Sequence, residues 1–331
     1  MHPTPHDRTF RCAPVLLIGY NRSDFIEKQL DILRKAAPER LYVAVDAPKD
    51  GDRESAAANK RIRELVAAAD WTTNVFTMFQ ERNIGCKYAV SKAITWFFEN
   101  EESGIILEDD CMASLDFFRF ATEMLDRYKD DERIGAVNGF SFFGSRTDCS
   151  QTYRFSIHMD VWGWASWRRV WKDYDVELYE KEELVSAAIR SSTMTAYFKK
   201  LSLDYIGRLR NSLSTWDVQL QMLFFIKRYL SIVPSERLVV NIGLSDERAT
   251  HTGGYNYWAR SWKTFGSLDE PIVHPGRVEQ DLKTDNLRER MEGAILPRFL
   301  TLVGSRFPRL RKRCERLGAA LERGMPFLFR F

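Results

Sequence analysis

Two different spacings of apolar residues alternate along the first half of the chain. Short runs that are apolar throughout are typical of strands buried on both faces, and longer segments between them carry apolar residues at helical spacing. In the first such segment Ile26, Leu30 and Leu33 lie about one turn apart, and Ser23 or Asp24 can cap the helix. The pattern predicts strands at 15–20, 41–45, 74–79, 104–107 and 134–137, and further helices at 52–69, 86–98 and 116–128.

The order of these elements predicts the fold class. Strands that alternate with helices indicate an α/β protein with a doubly wound, mostly parallel sheet flanked by helices. Ligands of such sheets bind beyond the carboxyl ends of the strands. Polar residues directly follow three of the predicted strands, namely Asn21-Arg22, Asp46 and the acidic triplet Glu108-Asp109-Asp110. We therefore expect these groups to share one rim of the sheet.

The second half of the chain has a different pattern. It has a short predicted strand at 153–159, a tryptophan-rich segment at 162–171, and helical stretches at 184–200 and 215–229 before a polar loop at 243–255. We divide the chain into a polar N-terminal arm (1–12), two halves of one domain (13–150 and 151–290) and a basic tail (291–331).

Composition and charge exclude several classes of protein. A hydrophobic fraction of 44% supports a sizeable core, and a net charge of +3 gives no reason to expect nucleic acid as a partner. The five cysteines are odd in number and form no Cys-x-x-Cys pair, which favours reduced thiols in the cytoplasm. We expect no signal peptide and no membrane span, because no apolar run is long enough.

The tail combines basic residues with apolar residues at helical spacing. From Arg298 onward it has nine basic residues against two acidic ones. This pattern predicts a helix that lies peripherally on the anionic, cytoplasmic face of a membrane. The alternative is a helix docked on the protein's own surface or on a partner.

The acidic triplet needs a chemical explanation, because adjacent carboxylates repel one another. Mn²⁺ or Mg²⁺ removes the repulsion by binding one or two protein carboxylates and completing its shell with phosphate oxygens and water. Alternatively, the triplet caps the helix that begins near Asp116, or lies in a solvated turn. Neither a P-loop motif nor a Gly-x-Gly-x-x-Gly turn is present, which argues against P-loop enzymes and dinucleotide dehydrogenases.

Several motifs of the chain occur in a specific order. They are Pro14-Val15-Leu16-Leu17-Ile18-Gly19-Tyr20-Asn21-Arg22, Val45-Asp46, Ile106-Leu107-Glu108-Asp109-Asp110-Cys111, Asp116-Phe117-Phe118, Gly163-Trp164-Ala165 with Trp171, and Trp216-Asp217. In this order the chain resembles the GT-A glycosyltransferases, in particular the N-acetylglucosaminyltransferase I group and bacterial surface-polysaccharide sugar transferases. The resemblance covers residues 14–255 and implies a nucleotide-sugar site in 13–150 and an acceptor site in 151–290.

The resemblance also implies a reaction. It is inverting transfer of a sugar from a nucleoside-diphosphate donor, with UDP-sugar favoured, to a hydroxyl of a glycan or lipid-linked acceptor. In this scheme Asp110 binds the metal ion and Asp217 is the general base. Donor contacts are implied for Asn21, Arg22, Asp46, Glu108 and Asp109.

Two departures from the family pattern leave alternatives open. Ala-Pro-Lys separates Asp46 from Asp50, so either aspartate could contact the base of the nucleotide. Val218 and Gln219 follow Asp217 where the family has further Asp and Trp residues. Asp217 could instead only stabilise the N-terminus of a helix.

The loops beside the rim supply further candidate donor contacts. Asn83 precedes a helix start that could present amides to the donor or could be only a turn and cap. Lys87 could approach phosphate or be solvated. The loop 245–254 suggests a lid in which Arg248 or His251 reaches the diphosphate, or is an ordinary exposed loop.

The tryptophans could stack on a sugar ring or could pack in the core. We predict acceptor contacts for Trp162, Trp164 and Trp216, and core packing for Trp167 and Trp171, which are one helical turn apart.

Two other classes of protein fit parts of the pattern. A nucleotidyltransferase that makes the nucleotide-sugar usually has a Gly-rich signature after the first strand, where this chain has Tyr20-Asn21-Arg22-Ser23. A non-catalytic carbohydrate-binding protein would keep the tryptophans but would have no need of the acidic triplet.

Overall fold

An eight-stranded sheet flanked by helices organises the described part of the chain. The structure is a computed structural model that describes residues 11–71, 74–144, 150–178, 181–209, 214–245, 248 and 262–293. The strands are β1 (Val15–Gly19), β2 (Leu41–Val45), β3 (Val75–Phe79), β4 (Ser103–Glu108), β5 (Cys111–Ala113), β6 (Ile134–Asn138), β7 (Tyr153–Ser156), β8 (Trp164–Trp167), β9 (Leu230–Pro234) and β10 (Val239–Asn241). The helices are α1 (Ser23–Ala36), α2 (Arg53–Ala67), α3 (Gly85–Asn100), α4 (Leu115–Arg127), α5 (Arg168–Trp171), α6 (Glu182–Ser191), α7 (Ala196–Leu209), α8 (Asp217–Lys227), α9 (Leu282–Gly293) and a 3₁₀ helix (Ile242–Ser245).

The strand order of the large sheet is β3-β2-β1-β4-β8-β6-β9-β7. Strands β3, β2, β1 and β4 are parallel neighbours, and β6 pairs in parallel with β9. Only β8 and the edge strand β7 run antiparallel to their neighbours in this sheet. The predicted α/β class with a mostly parallel sheet flanked by helices is therefore confirmed.

The burial of the strands explains their apolar runs. Every residue of β1, β2 and β6 is buried, because neighbouring strands cover their edges and helices cover their faces. The edge strand β3 is more exposed, and the Phe76 side chain is 42% exposed. The continuous apolar runs are thus those of the central strands.

Three features of the structure differ from the predicted pattern. The tryptophan-rich segment contains β8, which lies between β4 and β6 and joins both predicted halves into one sheet. The short strand β5 follows the acidic triplet at once and pairs with β10. The helix predicted at 184–200 is interrupted at 192–195, where Thr195 accepts a hydrogen bond from the Phe198 amide at 3.3 Å and starts α7. Such Ser/Thr contacts compete with helical backbone bonds.

The helix caps bear on one prediction, for α1, and on one alternative, for α4. Arg22 occupies the N-cap of α1 and makes no side-chain cap bond, so neither Ser23 nor Asp24 caps this helix. The Ser114 hydroxyl accepts from the Phe117 amide at 3.3 Å and caps α4. The alternative that the acidic triplet caps this helix is therefore wrong.

Helix α9 docks on the sheet edge mainly through charged residues. The Arg288 guanidinium contacts both carboxylate oxygens of Asp160 at 2.8 Å, and His158 Nε2 lies 3.1 Å from Glu289. Within the described residues, no helix is both long and apolar enough to cross a bilayer. The N-terminal residues 1–10, His251 and the basic tail from 294 onward lie outside the described residues.

Candidate functional site

A cleft of about 440 Å³ opens where the carboxyl ends of β1, β2 and β4 meet. Because β1 pairs in parallel with both other strands, the residues that follow each strand emerge at the same rim. Seven of the predicted donor contacts line the cleft: Asn21, Arg22, Asp46, Asn83, Glu108, Asp109 and Arg248.

Arg22 links two members of the acidic triplet. Its Nη1 donates to Asp110 Oδ2 at 2.9 Å, and its Nη2 donates to Asp109 Oδ1. Burial lowers the pKa of Arg22, but the charges of Asp109 and Asp110 outweigh this effect and raise it. The guanidinium therefore stays charged and offsets part of the repulsion within the triplet.

Burial and mutual repulsion perturb the acidity of the triplet. Burial, followed by the charges of Asp110, Asp109 and Asp217, raises the pKa of Glu108 well above its usual range. Burial also raises the pKa of Asp109 to about 7, although Arg22 opposes the shift. Strongly perturbed carboxyl groups in a cleft are candidates for a functional site.

Asp217 belongs to the same electrostatic cluster. It is the first residue of α8, its carboxylate accepts a hydrogen bond from Thr215, and its charge contributes to the raised pKa of Glu108. The neighbouring Ser214 lines the cleft. The structure thus brings Asp217 near the triplet, and its position also agrees with the alternative of a residue at a helix N-terminus.

The oxygen atoms of the triplet suit a hard divalent cation. Asp109 Oδ2 is buried and has no hydrogen-bond partner among the described residues. The described part of the chain has no cluster of three or more side chains that could hold a metal ion by themselves. Mn²⁺ and Mg²⁺ need only one or two protein carboxylates when phosphate oxygens complete the shell, so Asp110 and Asp109 fit such an ion.

Asp46 has a structural role that the sequence did not indicate. Its carboxylate accepts four hydrogen bonds, from the amides of Ala47, Ile84 and Gly85 at 2.9, 3.2 and 3.1 Å and from Asn83 Nδ2 at 3.1 Å. A carboxylate has about four acceptor positions, so none remains for a nucleotide base.

These bonds bear on three predictions. The amides at the start of α3 serve Asp46, so they are a turn and cap rather than a donor site. Both N–H groups of the Asn83 amide are also used, by Asp46 and by the Ala47 carbonyl at 2.7 Å. The base contact predicted for Asp46 conflicts with its four bonds, and Asp50 is exposed and outside the cleft lining.

The two predicted phosphate-binding cations lie in different surroundings. Lys87 is buried and its ammonium contacts both carboxylate oxygens of Glu177 at 2.8 and 2.7 Å, which conflicts with a donor contact or a solvated position. Arg248 lines the cleft and contacts both carboxylate oxygens of Asp24 at 2.8 and 3.1 Å.

The tryptophans are mostly core residues. Trp164 and Trp216 are 1% and 2% exposed, and their rings stack with centroids 6.0 Å apart. An acceptor cannot contact rings that the protein covers, so the acceptor role predicted for both conflicts with the structure. Trp167 and Trp171 are buried as predicted. Trp162 is half-buried against Phe140 and Trp262, and it is the one predicted acceptor contact that keeps exposed surface.

No protein-family model matches the sequence, and a comparison with curated proteins gives no match. Among solved structures, the mannosyltransferase PcManGT from Pyrobaculum calidifontis in complex with GDP-Man and Mn²⁺ is similar over 66% of this chain and 70% of its own, with 14% identity and a TM-score of 0.38. An apo UDP-glucose pyrophosphorylase (70% and 93% covered, 8% identity, TM-score 0.34) and the bifunctional glycosyltransferase WbbM (67% and 38% covered, 11% identity, TM-score 0.32) are also similar. At these scores the likeness carries no argument about function.

Two residues near the triplet were not found from the sequence. Gln29 is fully buried on α1 and donates to backbone carbonyls of the triplet segment. The sequence feature that could have indicated this role is the position of Gln29, a polar residue on the apolar face of α1. That face also holds Ile26, Leu30 and Leu33. Gly243 lies against Asp110 and Arg22, and no local pattern indicates this contact.

Proposed function

We propose that the protein is a metal-assisted, inverting glycosyltransferase that uses a nucleotide-sugar donor. The observation that carries the proposal is a cleft of about 440 Å³ lined by Arg22, Glu108 and Asp109. Asp110 is bound to Arg22 beside it, and the charge of Asp217 contributes to the raised pKa of Glu108. A volume of this size is typical of small-molecule sites. Four carboxylates and one paired arginine leave an acidic site, which a cation and a donor diphosphate can complete.

The residues of the cluster suit distinct parts of the reaction. Asp110, with Asp109, would hold Mn²⁺ or Mg²⁺, which when bound neutralises charge on the nucleoside-diphosphate leaving group. The described cleft lining contains the cationic residues Arg22, Lys49 and Arg248. Arg22 and Arg248 are the ones that we assign to the diphosphate. Asp217 accepts the proton of the acceptor hydroxyl as its oxygen bonds to the anomeric carbon. The bond from that carbon to the diphosphate breaks, and its electrons leave with the nucleotide.

The finer assignments rest on the resemblance described above. UDP as the nucleotide follows from it alone, and because Asp46 has no free acceptor position, other groups of the cleft must contact the base. We propose Trp162 as an acceptor contact because it is the predicted tryptophan with exposed surface. A glycan or lipid-linked acceptor, and membrane contact through the tail, are further proposals.

The test is release of nucleoside diphosphate from a panel of nucleotide-sugars with MnCl₂. We expect slow hydrolysis of one donor, loss of this activity with a chelator, and loss in Asp110→Asn. The control is Asp130→Asn, which changes an exposed carboxylate just after the C-terminal end of α4. Failure to bind or hydrolyse any donor, with or without metal, would contradict the proposal. Formation of pyrophosphate from a nucleoside triphosphate and a sugar phosphate would instead indicate a nucleotidyltransferase.

A further inference from the structure

Gln29 is a polar residue at an inward-facing position of α1. Its side chain is 0% exposed, and it lies on the same face as Ile26, Leu30 and Leu33. An apolar residue of similar size would satisfy the helix pattern without the cost of burying an amide. A buried amide at such a position is therefore expected to form hydrogen bonds that the protein requires.

The hydrogen bonds of Gln29 all go to the segment that carries the acidic triplet. Its Nε2 lies 2.8 Å from the Cys111 carbonyl oxygen, 3.1 Å from that of Glu108 and 3.4 Å from that of Asp109. The segment connects β4 to β5, so these bonds span the turn from one strand to the next.

The orientation of the Gln29 amide is determined by its surroundings. Its Oε1 has no hydrogen-bond partner among the described residues, whereas Nε2 meets three carbonyl oxygens. A flipped amide would place Oε1 against three acceptors, which is repulsive. Only the observed orientation is compatible with the turn.

We propose that Gln29 is a positioning residue that fixes the backbone of the acidic triplet, so that Asp109 and Asp110 meet Arg22 and the donor site in a constant geometry. The inference rests on the proposed function, because it assumes that this triplet binds a metal–nucleotide complex. Binding of such a complex requires the carboxylates to keep their positions within a fraction of an ångström. Hydrogen bonds from a neighbouring residue to the segment that carries them hold them in place.

Gln219 offers a matched comparison. It is also 0% exposed, and its Nε2 donates to the carbonyls of Val176 at 2.9 Å and Thr215 at 3.1 Å, next to Asp217. It has the same chemistry and burial as Gln29 but contacts a different segment. A general effect of removing a buried amide would therefore appear in both positions, and an effect on the triplet in only one.

The experiment compares Gln29→Met with Gln219→Met and with Leu33→Ala, a core substitution on the same helix. Affinity for UDP, and separately for GDP, is measured by calorimetry with MnCl₂, and stability is measured by urea unfolding. We expect Gln29→Met to weaken nucleotide binding in the presence of Mn²⁺ by about tenfold, the equivalent of one or two lost hydrogen bonds. The two controls should bind within about twofold of the wild type whatever their stability, because Gln219 bonds to a different segment and Leu33 is an apolar core residue. A twofold change is well below the tenfold effect expected for Gln29→Met.

Several results would overturn the inference. One is wild-type affinity in Gln29→Met, and another is an equal loss in all three variants, which would indicate general softening of the fold. Should Gln29→Met fail to fold, Gln29→Asn is measured instead, since it keeps a buried amide that is one methylene too short to span the turn. If the wild type binds neither nucleotide and releases no nucleoside diphosphate from any donor of the panel, the proposed function itself fails and the inference fails with it.

Discussion

Gly243 provides the sharpest test of the geometry around Asp110. It is the second residue of the 3₁₀ helix, and its amide donates to Asn241 Oδ1 at 2.8 Å. A Cβ at this position would lie 2.3 Å from Asp110 Oδ2, 2.8 Å from Arg22 Nη1 and 2.9 Å from Asp110 Cβ. Only hydrogen fits beside the ion pair, so Gly243→Ala must displace Asp110, Arg22 or the 3₁₀ helix.

The size of the displacement follows from ordinary contact distances. Moving from 2.3 Å to about 3.4 Å requires a shift of roughly 1 Å at the carboxylate oxygen. Overpacking of this kind typically costs about 1–3 kcal/mol of stability. A misplacement of about 1 Å in a binding constellation can lower activity by about a hundredfold. We therefore expect a modest loss of stability and a far larger loss of Mn²⁺–nucleotide affinity and donor hydrolysis.

The assay combines urea unfolding, calorimetry with MnCl₂ and UDP or GDP, and release of nucleoside diphosphate. The matched control is Gly207→Ala in α7, where a Cβ meets no atom within 4 Å. The control should keep nucleotide affinity and gain up to about 1 kcal/mol of stability, because alanine favours helix. Wild-type affinity and turnover in Gly243→Ala would refute the reasoning that Asp110 and Arg22 must keep their present positions.

Three further predictions follow from the hydrogen bonds and charges of the site. Asp46→Asn replaces one of the two acceptor oxygens by an NH₂ donor that faces amide N–H groups, so we expect the free energy of unfolding in urea to fall by about 1–3 kcal/mol. The raised pKa of Asp109, about 7 against an ordinary 3.8, means that the folded state holds a proton between these values. With a chelator present, wild-type stability should therefore fall as pH rises from about 4 to 7, and urea unfolding of Asp109→Asn should show a smaller fall. Asp217→Asn should keep nucleotide affinity by calorimetry and lower donor turnover by about a hundredfold or more, and an unchanged turnover would exclude Asp217 as the base.

The pattern of the first half predicted its elements well because each signal is local. Strands such as β1 and β2 are buried on both faces, so the run of apolar residues alone identifies them. Parallel order then places the residues after each strand at one rim, as the cleft lining at Arg22 and Glu108 illustrates. The predictions were less successful for caps, since neither Ser23 nor Asp24 caps α1.

The sequence by itself indicated a mostly parallel sheet and a rim of polar residues, because strand periodicity and strand ends depend on neighbours along the chain. It did not indicate that the antiparallel strand β8 lies between β4 and β6. Only the tertiary structure decided how each rim side chain is used. Asp46 is saturated by amides from another loop, Trp164 is covered within the sheet, and Gly243 approaches Asp110 from a distant segment. Contacts of this kind depend on which segments meet in space, and neither the spacing nor the composition of either segment encodes that meeting.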